Sequence, residues 1–273
     1  ITRIRAQLAS DGAAGAVLST PDNIFYATGF SSVMDGWHLV EPIAAVFVPT
    51  DAASPVVLIL PEASVISPIV SERGGHPVHF DRLATFDMLN FCETARAEDA
   101  HLALPDDLLA ELGDVMEQVE GQCEPDIIQT IAACVSRHIS KAERVLFDDL
   151  RVAARVEALI GQASGDALDV MFAARAVKTA DEIDTLRESG QIADAIMAYT
   201  VSLLGVGKSW SEVEKQVAHF MIDHDVDPLP GSPMLFGGAY DLVFRPDLFR
   251  TPVSRPFEGG EIAILETQGR YKN

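Results

Sequence analysis

Cysteine, basic residues and long apolar runs are all scarce in this sequence. Its 273 residues include three cysteines, Cys92, Cys123 and Cys134, with no Cys-x-x-Cys spacing. Such a set is typical of neither a disulfide framework nor a zinc finger, so we expect a reducing, cytoplasmic setting. The longest apolar runs, such as AAVFVP and VVLILP, are far shorter than the roughly 20 residues of a membrane-spanning helix. The sequence therefore predicts neither disulfide bonds nor a membrane span.

Positive charge is the second shortage. Lys and Arg number 20 against 41 Asp and Glu, which gives a formal net charge of -21. A surface with this excess repels nucleic acid and anionic membranes. We therefore interpret the acidic excess as a solubilising surface.

Several common catalytic motifs are absent. The sequence contains no Gly-x-Ser-x-Gly, no phosphate-binding loop, no Gly-x-Gly-x-x-Gly and no His-Glu-x-x-His. The seven histidines show no metal-ligand spacing, and we assign them structural or surface roles: His38, His76, His79, His101, His138, His219 and His224.

Residues 1–174 alternate between helical and strand patterns, which favours an α/β domain. ITRIRAQLASDG predicts a helix ended by Gly12, and DIIQTIAACVSRHI and RVAARVEALIGQ predict two more. Predicted strands are AGAVLS, IAAVFVP, PVVLILP, HPVHF and ERVLFDD.

Residues 175–273 have the character of a separate α+β domain. Thr179 and Glu182 have capping-box spacing before a long helix, and Ser211 and Glu214 have the same spacing before a second one. The first helix is expected to bury one long apolar face: Ile183, Leu186, Ala193, Ile196, Met197, Val201 and Leu204. EGGEIAILETQGRY then predicts a strand entered through a Gly-Gly turn.

Glu266 has an unusual setting, at the end of this apolar strand and beside a glycine turn. Burying a carboxylate is costly unless it is paired or bound to a cation, which favours a metal or substrate site. The equally open alternative is that Glu266 reaches solvent where the strand ends.

Two stretches resemble the pita-bread metallohydrolases, the family of creatinase, prolidase and aminopeptidase P. One is the Tyr-x-x-Gly-Phe element from Tyr26 to Phe30. The other matches the family's Arg-x-x-Lys-(Ser/Thr)-x-x-Glu-Ile signature with Arg175, Lys178, Thr179, Glu182 and Ile183. The resemblance implies a creatinase-type α/β N-terminal domain, residues 1–174, followed by an α+β pita-bread catalytic domain of which residues 175–273 are an incomplete first part.

The family's catalytic strand reads Gly-Asp-x-x-x-x-Asp-x-Gly-x-x-Tyr, and the second Asp is a metal ligand. Here Gly260-Glu261 stands for Gly-Asp, and Glu266 lies five residues before Tyr271. The resemblance thus implies that Glu266 is the first ligand of a divalent transition metal, Mn, Fe, Co or Zn. The remaining ligands and the general base would follow residue 273, and we expect the sequence to be a piece of a longer polypeptide.

The sequence departs from the family pattern in three ways. Glu replaces Asp at 266, the glycine after it stands at Gly269, and the preceding segment 231–256 lacks the substrate-contacting His of the family's peptidases. Arg245 and Tyr240 occupy that neighbourhood and are the candidate substrate-binding residues, since Arg suits a substrate carboxylate.

Three functions are compatible with this pattern. We favour a metal-dependent hydrolase that cleaves a carbon-nitrogen bond, an amide, amidine or amine, in a small carboxylated non-peptide molecule. The alternatives are an Xaa-Pro aminopeptidase or dipeptidase, and a metal-free creatinase-like hydrolase or non-catalytic binding relative. The resemblance also implies a homo-oligomer formed through the N-terminal domain, with Tyr26, Phe30 and Trp37 either near a neighbouring subunit's pocket or in the core.

Overall fold

The computed structural model describes residues 1–32, 34–35, 41–88, 105–205, 207–229, 231–238 and 256–271. They form two compact units, Ile1–Val177 and Lys178–Asn273. The domain boundary predicted from the sequence, between residues 174 and 175, falls inside the last helix of the first unit. None of the helices in the described ranges combines the length and apolarity that crossing a membrane requires.

The first unit is a three-layer α/β domain. The strands among its described residues are β1 (Gly15–Leu18), β2 (Ala45–Pro49), β3 (Val57–Pro61), β4 (Arg82–Phe86), β5 (Val145–Phe147) and β6 (Ser164–Asp166). The α-helices in the same ranges are α1 (Thr2–Asp11), α2 (Pro21–Thr28), α3 (Ser67–Arg73), α4 (Asp106–Met116), α5 (Ile127–His138), α6 (Leu150–Ile160) and α7 (Leu168–Ala176).

The strands form one mixed sheet in the order β4-β3-β2-β1-β5-β6. Pairing is antiparallel where β2 meets β1 and β3, and parallel elsewhere. Along β2, Val46 and Val48 pack in one apolar cluster while Ala45 and Phe47 pack in the other. Because both faces are covered, the strand is apolar without alternation, which explains the continuous apolar runs in the sequence.

The predicted strand HPVHF is not a strand. In this segment only Val78 is buried, and the His79 N–H donates to the Thr28 carbonyl at 2.7 Å. The strand instead begins at Arg82, where the chain pairs in parallel with β3. A single buried valine in a loop therefore gave the same local pattern as a half-buried strand.

In its described residues the second unit combines two helices with four short strands, which is consistent with the predicted α+β character. These are α8 (Ala180–Leu203), α9 (Trp210–Ile222), β7 (Val226–Pro228), β8 (Met234–Gly238), β9 (Ile262–Glu266) and β10 (Gly269–Tyr271). β8 pairs with β9, and β7 pairs with β10, both antiparallel.

The start of α8 is confirmed, because Thr179 and Glu182 form a reciprocal capping box. The box predicted for the second helix is displaced by two residues. Ser209 accepts from the Glu212 N–H at 3.2 Å and has extended backbone angles, whereas Ser211 already lies within α9. Glu214 therefore does not cap α9, and its carboxylate instead contacts β8.

The long buried face predicted for α8 is only partly present. Ile196 is buried, together with Thr200 and Leu203, while four of the predicted residues are substantially exposed: Ile183, Leu186, Met197 and Val201. The buried positions follow i, i+4 and i+7 along the side of α8 that meets α9. Of the predicted residues outside this line, Leu204 is partly buried against the same cluster, whereas the four exposed residues lie on other sides of the helix.

Candidate active site

Glu266 is the last residue of β9 and lies opposite Met234 of β8. Ala263 and Leu265 pack against the apolar core of the second unit, while the alternate residues Ile262, Ile264 and Glu266 are exposed. Glu266 is therefore a solvent-facing carboxylate within the described structure. The argument that a buried carboxylate needs a bound cation therefore does not apply to Glu266 within the described structure.

The turn after Glu266 is fixed by its own hydrogen bonds. Gln268 donates from its side-chain nitrogen to Glu266 Oε1 at 2.8 Å and from its backbone to Ser232 Oγ at 2.7 Å. The Leu229 N–H in turn donates to the Gln268 carbonyl at 3.0 Å. These bonds orient the Glu266 carboxylate and tie its turn to the segment between β7 and β8.

Gly269 explains one departure from the family pattern. A Cβ atom at this position would lie 2.4 Å from Val226 Cγ1 and 3.1 Å from the Asp227 carbonyl oxygen. Such contacts are far inside van der Waals distance, so only glycine allows β10 to pair with β7 here. The glycine requirement at 269 comes from strand packing in this chain.

Tyr271 is the last residue of β10, the strand that follows the Glu266 turn. Its hydroxyl donates to Glu188 Oε2 of α8 at 3.2 Å. The bond fixes the end of β10 on the helix. Tyr271 thus helps to hold the strand pair that carries the Glu266 turn.

One carboxylate does not make a metal site. Among the described residues, no group of three or more His, Cys, Asp or Glu donors includes Glu266. The predicted substrate-binding residues Arg245 and Tyr240 lie outside the described residues, as does Trp37. Of the predicted site residues, Glu266 is therefore the one that lies within the described structure.

Glu214 supports the strand that pairs with β9. Its Oε1 accepts the Leu235 N–H of β8 at 2.9 Å. The side chain is half-buried, and burial raises the pKa of the Glu214 carboxyl although this hydrogen bond opposes the change. The sequence pattern assigned Glu214 to a helix cap, so its contact with a distant strand was missed.

Replacing Glu214 by Gln should make the protein less sensitive to rising pH. A carboxyl whose pKa is raised by folding stabilises the protein below the unfolded pKa and loses that contribution as pH rises through the folded pKa. Glu214→Gln keeps the acceptor oxygen for Leu235 and removes the charge. We expect the melting temperatures of the two proteins to agree near pH 4 and the variant to melt at the higher temperature at pH 7.

Thermal melts at both pH values measure this difference, and Glu258→Gln, an exposed carboxylate in the turn before β9, is the matched control. A variant that melts lower than the wild type at pH 7 would show that the charge itself is needed by the Leu235 contact.

The first unit contains a donor cluster that sequence patterns missed. Glu120, Cys134 and His138 place a carboxylate oxygen, a thiol and a ring nitrogen all within 4.8 Å of one another. His138 had appeared isolated, yet Cys134 and His138 lie four residues apart on α5, a spacing that puts both on one helical face. Glu120 lies in the connection before α5, and no local sequence pattern predicts that its side chain contacts the two α5 residues.

Tyr26 and Phe30, which the family resemblance singled out, have internal roles in this chain. Phe30 is buried in the core. The Tyr26 hydroxyl donates to the Ala174 carbonyl at 2.9 Å, and the guanidinium carbons of Arg3 and Arg175 lie 5.5 and 5.6 Å from the centroid of its ring. Gly29 between them has φ 78°, and a Cβ there would lie 2.5 Å from the Pro77 carbonyl oxygen, which accounts for the glycine in Tyr-x-x-Gly-Phe.

No model of a known protein family matches this sequence, and no curated protein matches it. Solved structures do match. A prolidase from Thermococcus sibiricus is 15% identical with a TM-score of 0.62, over 99% of this chain and 60% of that one. The dipeptidase PepE from Mycobacterium ulcerans is 17% identical with a TM-score of 0.62, over 98% and 59%.

An X-Pro aminopeptidase from Thermotoga maritima is 12% identical with a TM-score of 0.61, over 99% and 61%. The chain thus spans about three fifths of the length of these proteins. The likeness confirms the predicted fold: a creatinase-type α/β domain followed by the first part of a pita-bread domain. At these identities it is a likeness of fold.

Proposed function

We propose that this chain is part of a metal-dependent hydrolase that cleaves a carbon-nitrogen bond, with short peptides of the Xaa-Pro kind as its substrates. The observation that carries the proposal is the position of Glu266. It ends β9 at the point where the family resemblance implies the first metal ligand, in a chain whose fold is similar to a prolidase, a dipeptidase and an X-Pro aminopeptidase over almost its whole length.

The Glu266 carboxylate suits the proposed role as one ligand. Carboxylate oxygen is a donor that Mn and related divalent ions accept. The Gln268 side chain donates to one carboxylate oxygen, and none of the described residues hydrogen-bonds to the other oxygen, which is therefore accessible to a cation. The described residues supply no second ligand close to it, so the rest of the site would come from residues outside the described set.

A divalent ion in such a site lowers the pKa of a bound water toward neutrality and polarises the carbonyl under attack. The described residues contribute position and charge. Glu266 supplies negative charge at the strand end, and Gln268, Gly269 and Tyr271 keep that end in place. Glu214 of α9 accepts the Leu235 N–H and so holds β8, the strand that pairs with β9, in place.

The preference for a non-peptide substrate gains no support from the similar structures, whose names are those of peptidases. A small carboxylated non-peptide molecule remains the second candidate because of two observations in the sequence. Glu replaces Asp at 266, and no His occurs in 231–256. Arg245 and Tyr240 stay predicted substrate contacts under either proposal.

A substrate screen on the intact protein tests the proposal. The protein is stripped with a chelator, reloaded separately with Mn, Co or Zn, and assayed on Xaa-Pro dipeptides, Xaa-Pro tripeptides, N-acyl amino acids and guanidino acids. We expect hydrolysis of an Xaa-Pro bond that is lost on chelation and restored by reloading. Turnover of only the non-peptide compounds would favour the second candidate, and no turnover in any metal-loaded form would overturn the proposal.

Self-association through the first unit and a cytoplasmic location are further proposals, based on the family resemblance and on the cysteine content. Size-exclusion chromatography with light scattering measures the first of these directly.

A further inference from the structure

The cluster of Glu120, Cys134 and His138 lies at the C-terminal end of α5, behind the central sheet. Cys134 is 1% exposed, and the side chains of His138 and Glu120 are 14% and 13% exposed. The three residues are therefore shielded from bulk water while remaining close to the surface. This setting differs from that of the acidic residues scattered over the protein's exterior.

The chemistry of the three donors is that of a borderline-soft metal. Thiolate sulfur, imidazole nitrogen and carboxylate oxygen are the ligand types that Zn²⁺ takes in proteins. Hard cations such as Mg²⁺ and Ca²⁺ prefer oxygen alone. The donor set therefore points to Zn²⁺ and its close analogues, and away from the ions that acidic surface clusters attract.

The backbone holds the donors in place before any ion arrives. Cys134 and His138 lie one helical turn apart on α5, and His138 stacks on the ring of Phe47 at 5.9 Å between centroids. The Glu120 N–H donates to the Leu83 carbonyl of β4 at 2.7 Å. His138 is also the last residue of α5, where the helix dipole favours a cation.

The present contacts of Glu120 show what an ion would replace. Its Oε1 lies 2.9 Å from His138 Nε2 and 2.8 Å from Arg137 Nη1. Arg137 is 39% exposed along its side chain, so it can turn to solvent. Burial raises the pKa of the Cys134 thiol, so in the absence of an ion this side chain acts as a small apolar group.

We propose that Glu120, Cys134 and His138 bind one Zn²⁺-class ion, with a fourth position open to water or to a further ligand. Tetrahedral Zn²⁺ places sulfur, nitrogen and oxygen donors about 3.4–3.6 Å apart. The His138–Glu120 pair, now 2.9 Å apart, would open by roughly half an ångström, and the sulfur would close by at most roughly 1.3 Å. Rotamer adjustments cover both movements, and the thiol proton leaves to solvent.

Cobalt is the probe that tests this site, because a thiolate bound to Co²⁺ gives an intense near-ultraviolet charge-transfer band. The background protein carries Cys92→Ser and Cys123→Ser, which leaves Cys134 as the one thiol of the chain. We expect the band to appear and to saturate once one Co²⁺ ion occupies this cluster, and Zn²⁺ to abolish it by competition. In the same background, Cys134→Ser should remove the band.

Two further variants separate a ligand from a packing residue. Glu120→Gln and His138→Gln should weaken Co²⁺ binding by at least about tenfold, since a lost ligand costs no less than a lost outer-shell partner. Arg137→Gln should strengthen binding, because it removes the cation that competes for Glu120. A merely structural role for Arg137 would not give that increase.

The outcome is independent of the proposed active site, because Glu266 offers only oxygen and cannot produce a thiolate band. Glu266→Ala should leave the band unchanged. A background protein that is folded by circular dichroism and shows no band at excess Co²⁺ would overturn the proposal. So would a band of equal intensity after Cys134→Ser.

Discussion

Glu266→Ala is expected to abolish metal-dependent hydrolysis by the intact protein. If the carboxylate at the end of β9 is a ligand, its removal leaves a site that holds its ion too weakly to act at working concentrations. The loss of kcat/KM should therefore exceed the roughly 10- to 100-fold decrease that follows loss of an outer-shell partner. Elemental analysis should show a parallel loss of Mn, Fe, Co or Zn, and a circular dichroism spectrum like that of the wild type would show that the variant is still folded.

Three matched variants sharpen that result. Glu266→Asp supplies the residue found in the family pattern and should retain the ion, whereas Glu266→Gln has the same shape without charge and should lose it. Glu258→Ala removes an exposed carboxylate from the turn before the same strand and should change neither metal content nor rate. If the Glu266→Ala variant keeps both its metal content and its rate, Glu266 is a solvent-facing residue at the strand end and has no part in the site.

Asp148→Ala is expected to destabilise the first unit substantially. The Asp148 carboxylate follows β5 and accepts five hydrogen bonds from the segment that follows β1. The donors are the Ser19 N–H at 2.7 Å, Ser19 Oγ at 3.1 Å, the Thr20 N–H at 3.1 Å, Thr20 Oγ1 at 2.6 Å and Asn23 Nδ2 at 3.0 Å.

Removing the carboxylate leaves those donors without their acceptor, and Ser19 is buried. Each buried donor that loses its partner costs about 1–3 kcal/mol, although water can reach some of the donors of this partly exposed group. We expect the free energy of unfolding of the first unit to fall by about 3 kcal/mol. Asp148→Asn should be intermediate, because the amide retains one acceptor oxygen.

Denaturant unfolding followed by hydrogen exchange in peptides from β1 and β5 measures this loss within the first unit. Asp114→Asn is the control, because Asp114 is exposed on α4 and should change stability by no more than about 0.5 kcal/mol. Equal stability of the Asp114 and Asp148 variants would show that water replaces the carboxylate at no cost.

Individual helices and strands were predicted from local sequence patterns. The capping box at Thr179 and Glu182 needs only four consecutive residues, and it forms as expected. The prediction failed by two residues at α9, where Ser209 and Ser211 both have an acidic residue three positions later. In the structure Ser209 and Glu212 form the capping box, and Glu214 instead accepts the Leu235 N–H of β8.

The sequence by itself determined the α/β character of residues 1–174, the two helices that open the second unit and the strand that ends at Glu266. These features depend on periodicity, caps and turns, whose energies are fixed within a few neighbouring residues. Only the tertiary structure decided that Glu266 faces solvent in the described chain, that Asp148 joins β5 to the end of β1, and that Glu120 meets Cys134 and His138. Those contacts join residues up to 129 positions apart, because the order of strands in the sheet, which no local pattern encodes, sets which chain segments become neighbours.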